Sequence, residues 1–266
     1  MRRHDFYKTP ERYLTMKEKI YTIPVNDAFS ENCECPLCFL EKKLEEEAVD
    51  YTLGAAMMEP DYRIKSNERG FCRRHYPMLI SKQNKLSLSL VLDTHLNEMR
   101  EKLKTFEKDV LSESAEKKSL FKKKAFLPDN GMTAMLSDSE HSCIICEKIS
   151  DTVERYTEVI FYLWKNEPSF RKKIANGKGF CLPHFNMLCK SAYGSLDSKR
   201  AAEFVKEIYK KELSELDRIQ EEIHRFTLKF DYRNKDIELG TAVDSPLRTI
   251  EKLSGYIGSD EKKQSD

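Results

Sequence analysis

At 266 residues, 39% hydrophobic and 34% charged, the chain has material for one large domain or two of ordinary size, with enough apolar side chains for a core. A net charge of +1 leaves no global field to draw it onto nucleic acid or an anionic membrane, so either partner would need a local patch. The longest strongly apolar run, "VIFYLW", is far short of the roughly 18 residues that span a bilayer. Eight cysteines without an export signal point to a reducing compartment, the cytoplasm, where thiols are more often metal ligands than bridges.

Residues 1–32 read as an N-terminal extension that is basic but has neither an apolar h-region nor a small-residue cleavage site, unlike a signal peptide. Its end, "KIYTIPVNDAF", shows a hint of extended alternation. Cys35 and Cys38 follow and open a helix, with Pro36 between them in the first turn, where a missing N–H costs nothing. Leu40, Leu44, Ala48, Tyr51, Ala55 and Met58 carry the helical rhythm onward. Then comes "GFCRRH" with Cys72 and His75, followed by a longer stripe of Leu92, Leu96, Met99, Leu103, Phe106 and Val110. Residues 113–140, rich in Ser and Lys and containing Pro-Asp-Asn-Gly, read as a linker. The lysines within 117–124 (Lys117, Lys118, Lys122, Lys123 and Lys124) are a candidate nucleic-acid or lipid patch, although a solvated tether is the simpler account.

The second half then repeats the first. Cys143 and Cys146 stand 108 residues after Cys35 and Cys38, and Cys181 and His184 stand 109 after Cys72 and His75. The text between agrees: "MEPDYRIKSNERGFC" is answered by "NEPSFRKKIANGKGFC". Two homologous copies therefore run over 33–112 and 141–226. Ile149, Val153, Tyr156, Ile160 and Leu163 form one helical stripe of the second copy, and Val205, Ile208, Leu216, Ile219, Ile223 and Phe226 another; all these stripes are expected in cores. Residues 227–266 form a C-terminal extension: "FTLKFDYRNKD" with faint alternation, a short helix capped by Ser245 with Pro246 first, stopped by Gly255 and docked by Leu247 and Ile250, and a disordered polar tail.

The spacing carries the chemistry. Cys-x-x-Cys brings two thiolates to one ion, and Cys-x-x-His at a helix start does the same, because residues i and i+3 share a face. A helix N-terminus favours thiolate over thiol. Counting the residues after the first helix as extended chain lets Cys72 and His75 return to Cys35 and Cys38, so the expected object is all-α: two tandem helical hairpins, each pinned by a Cys3His site. Whether each site is built within one copy or the copies exchange half-sites is open, the former being simpler. Three sulfurs and an imidazole in a closed set suit zinc, two ions per chain. Disulfides do not explain the accompanying histidines, and coincidence does not explain the constant displacement. Cys33 and its counterpart His141 are spare candidates next to complete sets, and Cys189 reads as a core residue.

A catalytic zinc keeps a position for water, whereas four ligands are supplied here, twice. Glu221 and His224 make one Glu-x-x-His where a di-metal bundle needs two. No phosphate loop, nucleophile elbow or His-Glu-x-x-His occurs. No strand-helix alternation surrounds the cysteine pairs as in a thioredoxin. Arg73 and Arg74 have Leu182 and Pro183 as counterparts, which argues against a repeated phosphate contact.

On "CECPLC", the paired "GFCxxH" motifs and "FDYRNKD", the chain resembles an uncharacterised bacterial family of unknown function, from "YTIPVNDAF" to "LRTIEKLSG". Some members carry automatic labels as substrate-binding proteins of ABC transporters, a role for which this chain has no signal peptide or lipid-attachment cysteine near its start. "CIIC" in the second copy lacks the proline of "CPLC". The expected function is that of a non-enzymatic zinc-holding interaction module with a protein partner and no membrane. A thiol-based redox or metal sensor, and nucleic-acid binding through the lysine run, are the alternatives.

Overall fold

The computed structural model describes residues 21–112, 131–234, 236 and 238–257, and among them every regular element is a helix. None is long and apolar enough to cross a membrane. After a helical stretch over 21–28 come α1 (Pro36–Leu53), a 3-10 turn (Ala55–Met58), α2 (Pro60–Arg69), α3 (His75–Ser81), α4 (Lys85–Lys104) and α5 (Glu107–Ser112). The second half holds α6 (Met132–His141), α7 (Ile144–Asn166), α8 (Pro168–Asn176), α9 (Leu182–Ser195), α10 (Ser198–Leu228) and α11 (Ser245–Ser254), with 3-10 turns at Tyr232–Asn234 and Gly240–Ala242.

The chain divides into two compact units that do not follow the two copies. One is Met1–Leu44 with Asp151–Asp266, the other Glu45–Ser150, so the divisions fall inside α1 and α7. The first unit is built on aromatic packing. Phe204 of α10 meets Phe161 and Trp164 of α7 edge-on at 5.1 and 5.2 Å, and Phe29 packs on Phe170 and Phe180. The second has an aliphatic core of Val49, Leu53, Leu79, Leu88, Val91, Ile144 and Ile145 around Phe71.

Several expectations change here. The alternation read in "YTIPVNDAF" is helical: Val25, Ala28 and Phe29 are buried at the i, i+3, i+4 spacing of one helix face. "FTLKFDYRNKD" finishes α10 and enters a 3-10 turn. The first stripe leaves the core at its end, because α1 stops at Leu53 and the turn after Gly54 changes the phase, leaving Met58 87% exposed. On α4 the buried residues are Leu88 and Val91, while Leu96, Leu103 and, on α5, Val110 are exposed. α2 docks on the adjoining face of α4, through Arg63 to Thr94 (2.8 Å) and the Asn67 carbonyl to His95 (2.8 Å). The expected linker contains α6 within 132–141; its lysine run, like the N-terminal residues 1–20 and the polar tail from 258, lies outside the described residues. Finally, α11 begins at Ser245 after Asp244, and Ser245 and Lys252 are buried while Ile250 is 48% exposed, so its docking face is polar.

Candidate metal centres

Both half-site types do open helices. Pro36 is the first residue of α1, directly after Cys35, and Ile144 follows Cys143 in the same way, so the missing proline of "CIIC" leaves the helix start unchanged. Cys181 is the N-cap of α9, with Pro183 in its first turn, and His184 lies one turn in. In the first copy a turn intervenes and α3 starts on His75, whose N–H donates to the Cys72 carbonyl (3.0 Å).

Gly70 and Gly179 precede these motifs with φ of 61° and 74°, left-handed backbone that glycine adopts freely. Close neighbours make a side chain there still less tolerable. A Cβ at 70 would lie 2.5 Å from the His95 ring, and one at 179 would lie 2.7 Å from Glu212 Oε2.

The eight expected ligands form two quartets, but with half-sites exchanged between the copies. Cys35 and Cys38 meet Cys181 and His184; Cys143 and Cys146 meet Cys72 and His75. The simpler within-copy pairing, and with it the hairpin pinned by its own copy's ligands, is therefore corrected. The reason is the return path. α1 carries the chain about 22 Å beyond Cys38, and most of the residues that follow are helix rather than extended chain, α2 spanning only about 15 Å at 1.5 Å per residue. α7 and α8 repeat the pattern, about 30 Å beyond Cys146 followed by a helix of only about 14 Å. Counting these residues as extended chain overstated their reach. The signals for α2 and α8 were present: Pro60 and Pro168 stand in the first turns, with Gly70 and Gly177 as C-caps.

Each quartet converges on the histidine Nδ1. From His75 Nδ1 the sulfurs of Cys72, Cys143 and Cys146 lie at 3.2, 3.3 and 3.4 Å; from His184 Nδ1 those of Cys181, Cys35 and Cys38 lie at 3.1, 3.4 and 3.4 Å. Cys72 and Cys146 sulfurs are 3.6 Å apart, Cys38 and Cys181 sulfurs 3.5 Å, and all eight cysteines are free thiols. A tetrahedron around zinc has edges of about 3.5–3.8 Å, given bonds of roughly 2.3 Å to sulfur and 2.0–2.1 Å to nitrogen. The observed edges are slightly tighter and fit a closed four-ligand centre. The ring's other nitrogen is held by a carboxylate, Glu45 for His75 Nε2 (3.0 Å) and Glu41 for His184 Nε2 (3.2 Å). With an ion bound, that arrangement would fix the tautomer, Nε2–H toward the carboxylate and the Nδ1 lone pair toward the ion. Arg74 braces Glu45 in turn at 2.7 Å.

The electrostatics agree. Hydrogen bonding from Cys146, and then from His75, holds Cys143 down to about 3 against burial. Burial opposes charge on Cys35 too, but Cys181, Cys38 and His184 outweigh it and keep its pKa well below the ordinary thiol value. The partner sulfurs move the other way: Cys146 is pushed up chiefly by Cys143, and Cys38 by Cys181 and Cys35. Burial disfavours both imidazolium ions, yet Cys143 and Glu45 lift His75 to about 10, and Cys181, Cys35 and Glu41 lift His184 to about 12. Protons are thus shared among closely packed ligand atoms, and a dication that replaces them satisfies all four ligands at once.

The two centres differ in shielding. Cys35, Cys181 and His184 are buried and Cys38 half-buried, whereas Cys146 is exposed and Cys72 half-buried. The loop carrying Cys181 is held by a buried ion pair that sequence reading missed. Glu212 accepts the Phe180 N–H (2.8 Å), and Lys252 lies 3.1 Å from Glu212 while donating to the Lys178 carbonyl (2.7 Å). In the other centre, Ile144 N–H donates to the Gly70 carbonyl (3.2 Å), tying the two half-sites together through the backbone. Cys33, His141 and Cys189 join neither quartet; burial lifts Cys33 to about 11. Glu221 and His224 are exposed.

The model of a family of unknown function, DUF6062, matches residues 16–260, and the chain belongs to that family. No curated protein and no solved structure matches it.

Proposed function

We propose that this family member is a cytoplasmic, non-enzymatic interaction module in which two zinc ions, one per quartet, hold the fold together. The observation that carries the reading is the convergence of three sulfurs on each histidine Nδ1 while a glutamate holds the opposite ring nitrogen. Four protein ligands close each set, which suits a structural ion, since a catalytic one keeps a place for water. Sulfur-rich ligation favours zinc among the divalent ions, and free thiols throughout accord with a reducing cytoplasm. Zinc binding to small Cys/His units is worth on the order of 10–16 kcal/mol, against about 5–15 kcal/mol for the net stability of a whole domain. Each ion therefore decides whether its unit folds. Exposed Leu96 and Leu103 on α4 are in keeping with a protein partner.

The test is elemental analysis of the full chain purified without added metal. Two zinc ions per chain are expected, with loss of helicity when a strong chelator removes them. A metal-free chain of full helicity, or iron in place of zinc, would refute the reading.

A further inference from the structure

We propose that Cys72 and Cys146 are an oxidation site, at which a hydroperoxide converts the two thiolates to a disulfide and frees the ion of that centre while the other centre is spared. The proposal rests on the reading that both quartets hold an ion, and it concerns what distinguishes them. Proximity does not: Cys72 and Cys146 sulfurs are 3.6 Å apart, Cys38 and Cys181 sulfurs 3.5 Å. Access does. Cys146 is exposed and Cys72 half-buried, whereas Cys181 has no exposed surface and Cys35 only 4%.

The end of α11 supplies part of that shielding. Gly255 lies so close that a Cβ there would sit 3.6 Å from Cys181 Sγ and 3.9 Å from Cys38 Sγ. A cavity of about 140 Å³ does reach Cys38 from the side of Cys33 and Phe39, but Cys181, the sulfur Cys38 would have to join, does not line it.

The chemistry needs only the named oxidant. Metal-held sulfurs carry no proton and remain nucleophilic. Cys146 Sγ attacks the terminal peroxide oxygen and the O–O bond breaks, leaving a sulfenic acid and an alkoxide or hydroxide that takes a proton from solvent. Cys72 Sγ then attacks the Cys146 sulfur. The S–S bond forms, the S–O bond breaks, and hydroxide leaves to become water. Two thiolates have lost two electrons and the peroxide has gained them. Closing the sulfurs from 3.6 Å to about 2.05 Å removes two ligands from the ion, and His75 and Cys143 alone do not retain it.

The experiment uses the full chain, with its metal content measured first. The protein is titrated with hydrogen peroxide, released zinc is read with a chromophoric chelator, and disulfides are mapped on digested protein. Loss of one of the two ions, in step with a Cys72–Cys146 disulfide and reversed by dithiothreitol plus zinc, is the expected result; Cys33→Ser should behave identically. Retention of both ions, their loss together, a Cys38–Cys181 or Cys33 disulfide appearing first, or Cys146 passing to sulfinic acid without a disulfide would each overturn it. A chain without metal before oxidant refutes the metal reading instead, and the peptide map still decides whether Cys72 and Cys146 are the pair oxidised.

Discussion

Lys252→Met is the most informative single change outside the ligands. Lys252 is 1% exposed, lies 3.1 Å from Glu212 Oε1 and donates to the Lys178 carbonyl at 2.7 Å, while Glu212 is 2% exposed and accepts the Phe180 N–H. Burial already pushes the Glu212 pKa up, with Lys252 opposing that rise. Methionine keeps the volume but strands the carboxylate, and breaking one side of a buried pair costs about 3–5 kcal/mol. A domain of 150–250 residues loses roughly 2–4 °C per kcal/mol, so the zinc-loaded variant should melt roughly 6–20 °C lower by circular dichroism. Adding Glu212→Gln removes the stranded charge yet leaves an acceptor for Phe180 N–H. No buried charge is then left, and the Lys178 carbonyl and the new amide NH2 are neutral groups that cost about 1–3 kcal/mol each if unpaired and nothing if they meet, so the double variant should be more stable than either single one. A Lys252→Met protein within about 1 kcal/mol of the parent, or a double variant worse than both singles, refutes the reasoning.

Other outcomes follow from the same geometry. Gly70→Ala should lose the ion bound by Cys72, His75, Cys143 and Cys146 and keep the other, because its Cβ meets the His95 ring at 2.5 Å; metal content of the variant checks this. Glu45→Gln and Glu41→Gln should each weaken only the adjacent centre, by about 10–100-fold in chelator competition. The Glu45 change should be the larger, since its side chain is 3% exposed against 32% for Glu41. Metal uptake should also expel protons. Without an ion His75, at about 10, and Cys146, pushed up by Cys143, both hold protons at neutral pH, whereas the ligands must be deprotonated to bind. Affinity at that centre should therefore fall as pH falls, by about 10-fold per unit near neutrality for each proton released, and so by about 100-fold or more. An indicator dye in weak buffer reads the release on zinc addition, and no acidification would contradict the assignment.

The ligands were legible because their chemistry is sparse and their displacement constant: four Cys and His residues recurring 108 or 109 residues later stand out against any background. Their pairing was not, because a Cys-x-x-Cys accepts either Cys-x-x-His equally well and only the path between them chooses. That path was written in Pro60, Gly70, Pro168 and Gly177, helix punctuation that matters only once the rise per residue is counted. Glu41 and Glu45 were available too, three and seven residues after Cys38 on the same helix face. Lys252 was hidden for another reason. Reading α11 by its apolar residues assigns Ile250 to the core, but the surface it meets offers a buried carboxylate, and a lysine satisfies that where leucine cannot. The α4 stripe failed by phase: the Arg63 and Asn67 side chains on Thr94, and the Asn67 backbone carbonyl on His95, select that face, one position away from Leu96.

The most direct measurement of the exchanged centres counts ions in paired substitutions. Cys38→Ser with Cys181→Ser damages one quartet twice, so the chain should retain one zinc ion, held by Cys72, His75, Cys143 and Cys146. Cys38→Ser with Cys72→Ser damages both and should leave none tightly bound. The reverse pattern, one ion kept by the Cys38/Cys72 variant and none by the Cys38/Cys181 variant, would mean that each copy closes on itself and would contradict the account.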